Sequence, residues 1–342
     1  MTPADLFGLP FMQRALIAAV FTGLAAPAVG TYLVQRRLAL MGDGLGHVAV
    51  TGVALGLFTH TSPTWTAVVV AVLGAALIEL IRERGHANGD VALALLFYGG
   101  LAGGVLLTGI SGESATHLQE YLFGSILSIG ISDVVVTMGL AVVVIAVGVG
   151  LAPQLFSVAQ DPEFAKVSGL NVRAYNLLIA VLAAVSVTVA MRTVGLLLVS
   201  ALMVVPVATS QQVARSFRTT LLGAMVLGTV ASLGGLVISA LASFSGTVAP
   251  GPTIVLLALA CFAVAWPIGT LLRRRRRLAA PFPVDPEAVL PHETCQDTHE
   301  HEHGPSCGHL AVEHGDHVDY VHDGHRHAVH VDQTGAPHYD EH

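Results

Sequence analysis

Nine stretches of this chain are apolar over the length needed to cross a lipid bilayer: about 15–34, 43–59, 64–81, 91–110, 133–152, 175–191, 193–210, 219–242 and 252–272. A hydrocarbon core about 30 Å thick calls for roughly 20 apolar residues per helix. Within it every backbone N–H and C=O must be paired inside the segment, and a helix does this alone. Only 11% of the 342 residues are charged, against about 25% in soluble domains. The expected fold class is therefore all-α, a polytopic integral membrane protein. The count is eight or nine transmembrane helices, because only Arg192 separates the sixth and seventh stretches. Residues 111–132 begin too polar to span and read as an interfacial or re-entrant helix.

Ala25 to Ala28 has small residues of the signal-cleavage type. No basic region precedes it, however, and the apolar run continues to Val34, so a span is expected. Small-xxx-small pairs (Gly42/Gly46, Gly52/Gly56, Gly99/Gly103) allow close helix approach. Pro206 interrupts the seventh stretch and frees a carbonyl there, as a packed kink or as the lining of a pathway.

Basic residues set the orientation, since cytoplasmic loops are enriched in Lys and Arg. With the connections after spans 1, 3, 5, 7 and 9 inside, 13 basic residues face the cytoplasm, from Arg36 and Arg37 to the run Arg273–Arg277. Arg14 and Arg192 alone stay outside. The domain reading is a transmembrane body over 1–277 and a cytoplasmic appendage over 278–342. Residues 281–342 hold 13 acids against one base, together with 13 of the 17 histidines. This low-complexity, apolar-poor segment is expected to be disordered without metal. The only lysine, Lys166, is followed by Val167, so the chain has no phosphate-binding loop of the G-x-x-x-x-G-K-[ST] type. Three scattered cysteines exclude a disulfide framework.

Asp43 and His47 stand four residues apart in LALMGDGLGHVAVTG, which places them on one helical face about 6 Å apart along the axis. A carboxylate and an imidazole so spaced suit zinc and, less selectively, manganese. Ionisable groups inside a span commonly face a pathway or a partner. A helix N-cap for Asp43 and a satisfied core position for His47 are the structural alternatives.

On the cytoplasmic side, Asp161-Pro162-Glu163-Phe164-Ala165-Lys166-Val167-Ser168-Gly169 predicts a two-turn helix. Asp161 caps it, Pro162 fits its first position, Glu163 suits its positive end and Gly169 terminates it. Phe164 and Val167 give it one apolar face, fit either for docking another protein or for a tight connector. Glu113, His117 and Glu120 share a helical face that reads as solvated. Glu79, Arg82, Glu83 and Arg84 need nothing beyond cytoplasmic solvation.

In order along the chain, FMQRAL, RRLALMGDGLGHVAVTGVALG, QEYLFGSIL, DPEFAKVSGLNV, VGLLLVSALMVVPVA and GPTIVL resemble the permease subunit of zinc/manganese ABC importers, over roughly residues 11–272. The resemblance implies the compact helical bundle shared with cobalamin and siderophore permeases. It implies a permease homodimer in a prokaryotic plasma membrane, powered by a separate ABC ATPase and supplied by an extracytoplasmic metal-binding protein. Such a chain is a transport subunit and not an enzyme. Zinc or manganese is its cargo, and it has no tightly bound cofactor and no nucleic-acid partner. By position, Asp43 and His47 match the polar pair on the family's second helix. Asp161, Pro162, Glu163, Phe164 and Gly169 fall in its ATPase-contacting segment.

The tail departs from the resemblance. His299, His301, His303, His309, His314, His317, His322, His325 and His327 are its candidate metal ligands, and the near-repeats His314-Gly-Asp-His317 and His322-Asp-Gly-His325 set imidazoles beside carboxylates. Cys295 and Cys307 lack the C-x-x-C spacing of a structural zinc site. Two other functions remain open from the residues: a self-powered metal carrier, and a permease of the same fold for a metal chelate such as a siderophore. The absence of further intramembrane ligands weighs against the first, and the Asp43/His47 pair against the second.

Overall fold

The computed structural model describes residues 8–84, 89–111, 130–244, 248–277, 293–294, 306–314, 317–322, 325–331 and 337–341. Eleven helices run through the described part of the membrane body. They are α1 (Pro10–Gln35), α2 (Met41–Phe58), α3 (Pro63–Glu83), α4 (Gly89–Ser111), α5 (Ile131–Gly150), α6 (Ala152–Gln160), α7 (Pro162–Val167), α8 (Val172–Val194), α9 (Leu196–Val213), α10 (Phe217–Ala242) and α11 (Pro250–Arg277). Seven of these are long and apolar enough to cross a membrane, or eight if the pair α5–α6, bent by 70°, makes one broken span. The apolar stretch at 193–210 becomes α9, which is shorter than a full span. The interfacial helix expected over 111–132, with Glu113, His117 and Glu120, lies almost wholly outside the described residues.

Several starts have a local cause. Proline takes the first turn of α1, α3, α6 and α7, where its missing N–H is one the helix leaves unpaired anyway. Ser216 and Thr219 form a reciprocal capping box on α10.

Burial separates the helices into an inner and an outer set. The apolar windows of α1 and α2 are 72% buried, those of α4 and α11 only 17%. The core is assembled from α1, α2, α8 and α9, with Tyr32, Leu33, Met41, Leu45, Ile179, Met191, Leu202 and Met203 fully buried. Small residues make this density possible. A Cβ on Gly30 would lie 2.0 Å from the main-chain oxygen of Met203, so α1 and α9 touch backbone to backbone. The outer set leaves Val91, Leu95, Tyr98, Val105 and Leu106 of α4 exposed, a surface suited to lipid or to another subunit.

The chain divides into two compact units, Met1–Thr270 and Leu271–His342, with the division inside α11 and not at the expected 277/278 boundary. The second unit has regular structure in its described residues. Its described residues form a five-stranded antiparallel sheet of order β1-β5-β4-β3-β2, with β1 at Glu293–Thr294, β2 at Leu310–His314, β3 at His317–His322, β4 at His325–Val331 and β5 at Pro337–Glu341. Low complexity conceals an ordinary strand pattern. Val312, Val318, Tyr320, Val321, Val329 and Val331 are β-branched or aromatic, and Gly-Asp and Asp-Gly dipeptides separate the strands. The fold class remains that of a mostly helical polytopic membrane protein, with this sheet added after the last helix.

Candidate functional site

Helix α2 carries the two candidate ligands, and its glycines determine what surrounds them. On one side Gly46 meets Leu196 and Val187, and Gly42 meets the Met203 thioether. On the other side α4 crosses so closely that a Cβ on Gly100 would stand 2.6 Å from the Val48 nitrogen and 2.7 Å from the His47 carbonyl carbon. Thr51 Oγ1 donates to the Gly100 carbonyl at 2.5 Å and fixes that crossing. The Phe97 ring meets the His47 imidazole edge to face, with centroids 4.2 Å apart.

His47 is 6% exposed, and its Nδ1 is buried with no hydrogen-bond partner among the described residues. A buried polar atom left unsatisfied costs roughly 1–3 kcal/mol. The core alternative of a satisfied histidine leaves this nitrogen unaccounted for. Asp43 lies one turn before it and is partly exposed. The N-cap alternative for Asp43 is also set aside: the N-cap of α2 is Leu40, which makes no side-chain cap, and Asp43 stands within the first turn. A carboxylate there gains from the positive end of the helix and stays available to a cation. Among the described residues no group of three or more metal-ligating side chains comes together. Asp43 and His47 are two potential donors, fewer than the four of a tetrahedral zinc site.

The connection between α5 and α8 holds the second candidate. Asp161 accepts from the Glu163 and Phe164 amides at 3.1 and 3.0 Å, and α7 covers Pro162–Val167. Gly169, at φ +84°, lets the chain leave the helix. The Leu170 and Gly169 amides bond back to Ala165 and Lys166, which satisfies terminal carbonyls as in a Schellman motif. Ala165 anchors the turn as a fully buried residue, while Phe164 is 65% and Val167 88% exposed. An exposed phenylalanine on a rigidly capped turn is an element built for contact. Gln35 donates to Gln160, tying the end of α1 to the entry of this segment.

Nearby charges depart from simple solvation. Glu79 is only 8% exposed and pairs with Arg36 at 3.5 Å and Arg82 at 2.9 Å. Burial lowers the Arg36 pKa, Glu79 raises it and Arg82 lowers it further. Glu83 accepts from Arg173 and joins α3 to α8. Sequence reasoning missed this cluster because Arg36 and Glu79 are 43 positions apart, and only the folded chain brings the end of α1 beside the end of α3. Phe97 carried no sequence signal either.

Of the tail candidates, His299, His301 and His303 lie outside the described residues. His309 is half-buried and precedes β2, and His327 is buried on β4. His314 ends β2, His317 and His322 bound β3, and His325 opens β4.

The sequence profile described as the ABC 3 transport family matches residues 8–268. The manganese import system permease protein ScaB of Streptococcus parasanguinis is 34% identical over 266 residues, 78% of this chain and 93% of that protein. The high-affinity zinc uptake system membrane protein ZnuB of Haemophilus influenzae is 28% identical over 73% of this chain and 95% of its own. In three dimensions the chain superposes on PsaBC from Streptococcus pneumoniae, solved with a Fab, with a TM-score of 0.71 and 31% identity over 80% of this chain and 98% of that one. A metal-chelate type ABC transporter in an inward-facing conformation shares the fold at a TM-score of 0.57 and 16% identity, covering 74% of this chain and 86% of its own. The tail lies beyond the profile match. From residue 8 to residue 268 the chain belongs to the ABC 3 transport family and resembles the permease subunits of manganese and zinc importers.

Proposed function

We propose that this chain is the membrane-spanning permease of an ATP-driven importer for a divalent transition-metal ion, with Asp43 and His47 as its contribution to the ion's path. The buried, unpartnered Nδ1 of His47 carries this reading. It is a polar ring nitrogen one turn from a carboxylate, buried without a protein partner, and such a group calls for an ion or water to satisfy it. Two donors per chain suit transport, because an ion held by a complete shell would not leave. A second copy of the chain, or water carried with the ion, completes the coordination.

Zinc is the proposed preferred cargo, because imidazole nitrogen favours zinc over manganese. Relatives of similar rank are named for each metal, so the preference rests on His47. An extracytoplasmic metal-binding protein delivers the ion, and a separate ATPase docks on Asp161, Pro162, Glu163, Phe164 and Gly169. Segment 161–169 and the tail are cytoplasmic by the asymmetry of basic residues, in the plasma membrane of a prokaryote. The test is ion uptake by the permease reconstituted with its ATPase, with zinc and manganese in competition. ATP-dependent uptake with zinc outcompeting manganese is expected. No uptake of either ion contradicts the function, and manganese preference contradicts the cargo.

A further inference from the structure

Helices α3 and α4 both pack on α2, and between them they leave a groove of about 390 Å³. Val70, Leu73, Leu77 and Ile81 supply one wall from α3, and Leu95 and Gly99 stand on the facing wall from α4. Leu73, Leu77 and Leu95 are each more than half exposed along it. The close crossing at Gly100 sets the depth, while a Cβ on the neighbouring Gly99 would meet nothing within 4 Å. Eleven residue steps separate Val70 from Ile81, about 16 Å of helix. One leaflet of a hydrocarbon core about 30 Å thick is about 15 Å deep, so the groove has the length of a leaflet. Its end beyond Ile81 is charged. Arg84 follows three residues on, with helical backbone at the C-cap of α3, and so continues the groove-lining stripe. It is exposed and forms no ion pair among the described residues. The carboxylates beside it are engaged, Glu79 by Arg36 and Arg82 and Glu83 by Arg173. At this end Arg36, Arg37, Arg82, Arg84 and Arg173 outnumber Glu79, Glu83 and Asp90.

We propose that this groove binds one anionic phospholipid from the leaflet at the arginine end, with an acyl chain along Leu73, Leu77, Leu95 and Gly99 and the phosphate at Arg84. A lipid brings both parts, a chain for the apolar walls and an anion for the unpaired guanidinium, at the spacing that a leaflet sets. A helix from a second copy of this chain would have to offer a carboxylate at the same depth. Lipid tails are as apolar as the groove, so hydrophobic transfer does not favour the groove over bulk lipid. Contact along the walls holds the chain in place, and selectivity comes from the charge. Basic pockets between membrane helices recognise anionic headgroups in this way, each arginine near the surface raising affinity about fivefold.

The inference does not depend on import, and its test measures binding. Full-length protein in detergent micelles is titrated with dioleoylphosphatidylglycerol or dioleoylphosphatidylcholine, and native mass spectrometry counts the lipids retained per chain. One phosphatidylglycerol per chain is expected, held more tightly than phosphatidylcholine, which has the same chains and no net charge. Arg84→Gln is expected to weaken phosphatidylglycerol about fivefold relative to phosphatidylcholine. Arg218→Gln, an exposed arginine at the start of α10, is expected to change neither. Gly99→Leu fills the groove and is expected to abolish the retained lipid. Gly109→Leu makes the same change on the same helix, where a Cβ also meets nothing within 4 Å, and is expected to keep it. Excess inorganic phosphate is expected to leave the lipid bound, because it has no chain for the groove. Equal retention of the two lipids, displacement by inorganic phosphate, equal effects of the two leucine variants, or wild-type phosphatidylglycerol affinity in Arg84→Gln would each overturn the site. A dimer that Gly99→Leu splits without loss of lipid would give the groove to a second copy, and overturns it too.

Discussion

Helix α2 and the tail sheet both carry histidine, yet they bring their residues together by opposite means. On α2 the pair is local: Asp43 and His47 are one helical turn apart and need no other segment to bring them together. In the sheet, residues distant in sequence meet only through register, so position 329 aligns with position 339 because β4 and β5 pair. The surroundings differ as well. The α2 pair sits where glycine lets α4, α8 and α9 close around it, whereas the sheet is small and poor in apolar residues. A site embedded in a packed membrane core is suited to passing an ion under control. The sheet lies beyond the residues that the family profile matches.

The comparison breaks most sharply at the contact surface of the body. Phe164→Asp puts a charge on an exposed residue of α7, so folding is expected to survive while transport and stimulated ATP hydrolysis are abolished. Copurification with the ATPase and proteoliposome uptake are the measurements. Normal values for both would remove the docking role from residues 161–169.

A smaller effect is expected from the charges at the end of α3. Glu79→Gln leaves Arg36 buried without its carboxylate partner and is expected to cost about 3 kcal/mol, the low end for a broken buried pair. Glu83→Gln loses a partner, Arg173, that is 76% exposed at its side chain, and should change stability by less than about 1 kcal/mol. Thermal denaturation in micelles compares the two variants. Equal shifts would show that burial does not govern this cluster.

The smallest effect belongs to the tail. Deleting residues 285–342 is expected to leave the rate of uptake unchanged, because the family match ends at residue 268. The response of uptake to zinc on the tail's side is expected to change. That zinc dependence should fade below about pH 6.5, where imidazoles protonate and release metal. Complete loss of uptake on deletion would make the sheet part of the transport machinery.

What the sequence disclosed follows the same division. Span positions, the caps on Asp161 and Gly169 and the Asp43/His47 spacing are local properties, and chain order states them directly. The burial of Glu79 with Arg36, and the ring of Phe97 against His47, depend on which helices cross, and hydropathy carries no record of that. Of the nine apolar stretches, the described residues give seven full spans, or eight with the bent pair α5–α6, because α9 begins only after Gly195. In the tail, charge and histidine content dominate the composition and hide valines and a tyrosine on the described strands. The Gly-Asp and Asp-Gly dipeptides between histidines were the hairpin signal.

The central claim is that Asp43 and His47 handle the ion itself, and metal uptake into proteoliposomes at saturating ATP measures it most directly. Asp43→Asn preserves shape and removes charge, and His47→Ala removes the unpartnered nitrogen from a packed interior. Each is expected to lower zinc uptake by at least about tenfold, a loss of about 1.4 kcal/mol or more in the transport step, with ATPase assembly and elution profile unchanged. Wild-type uptake in both variants would contradict the claim.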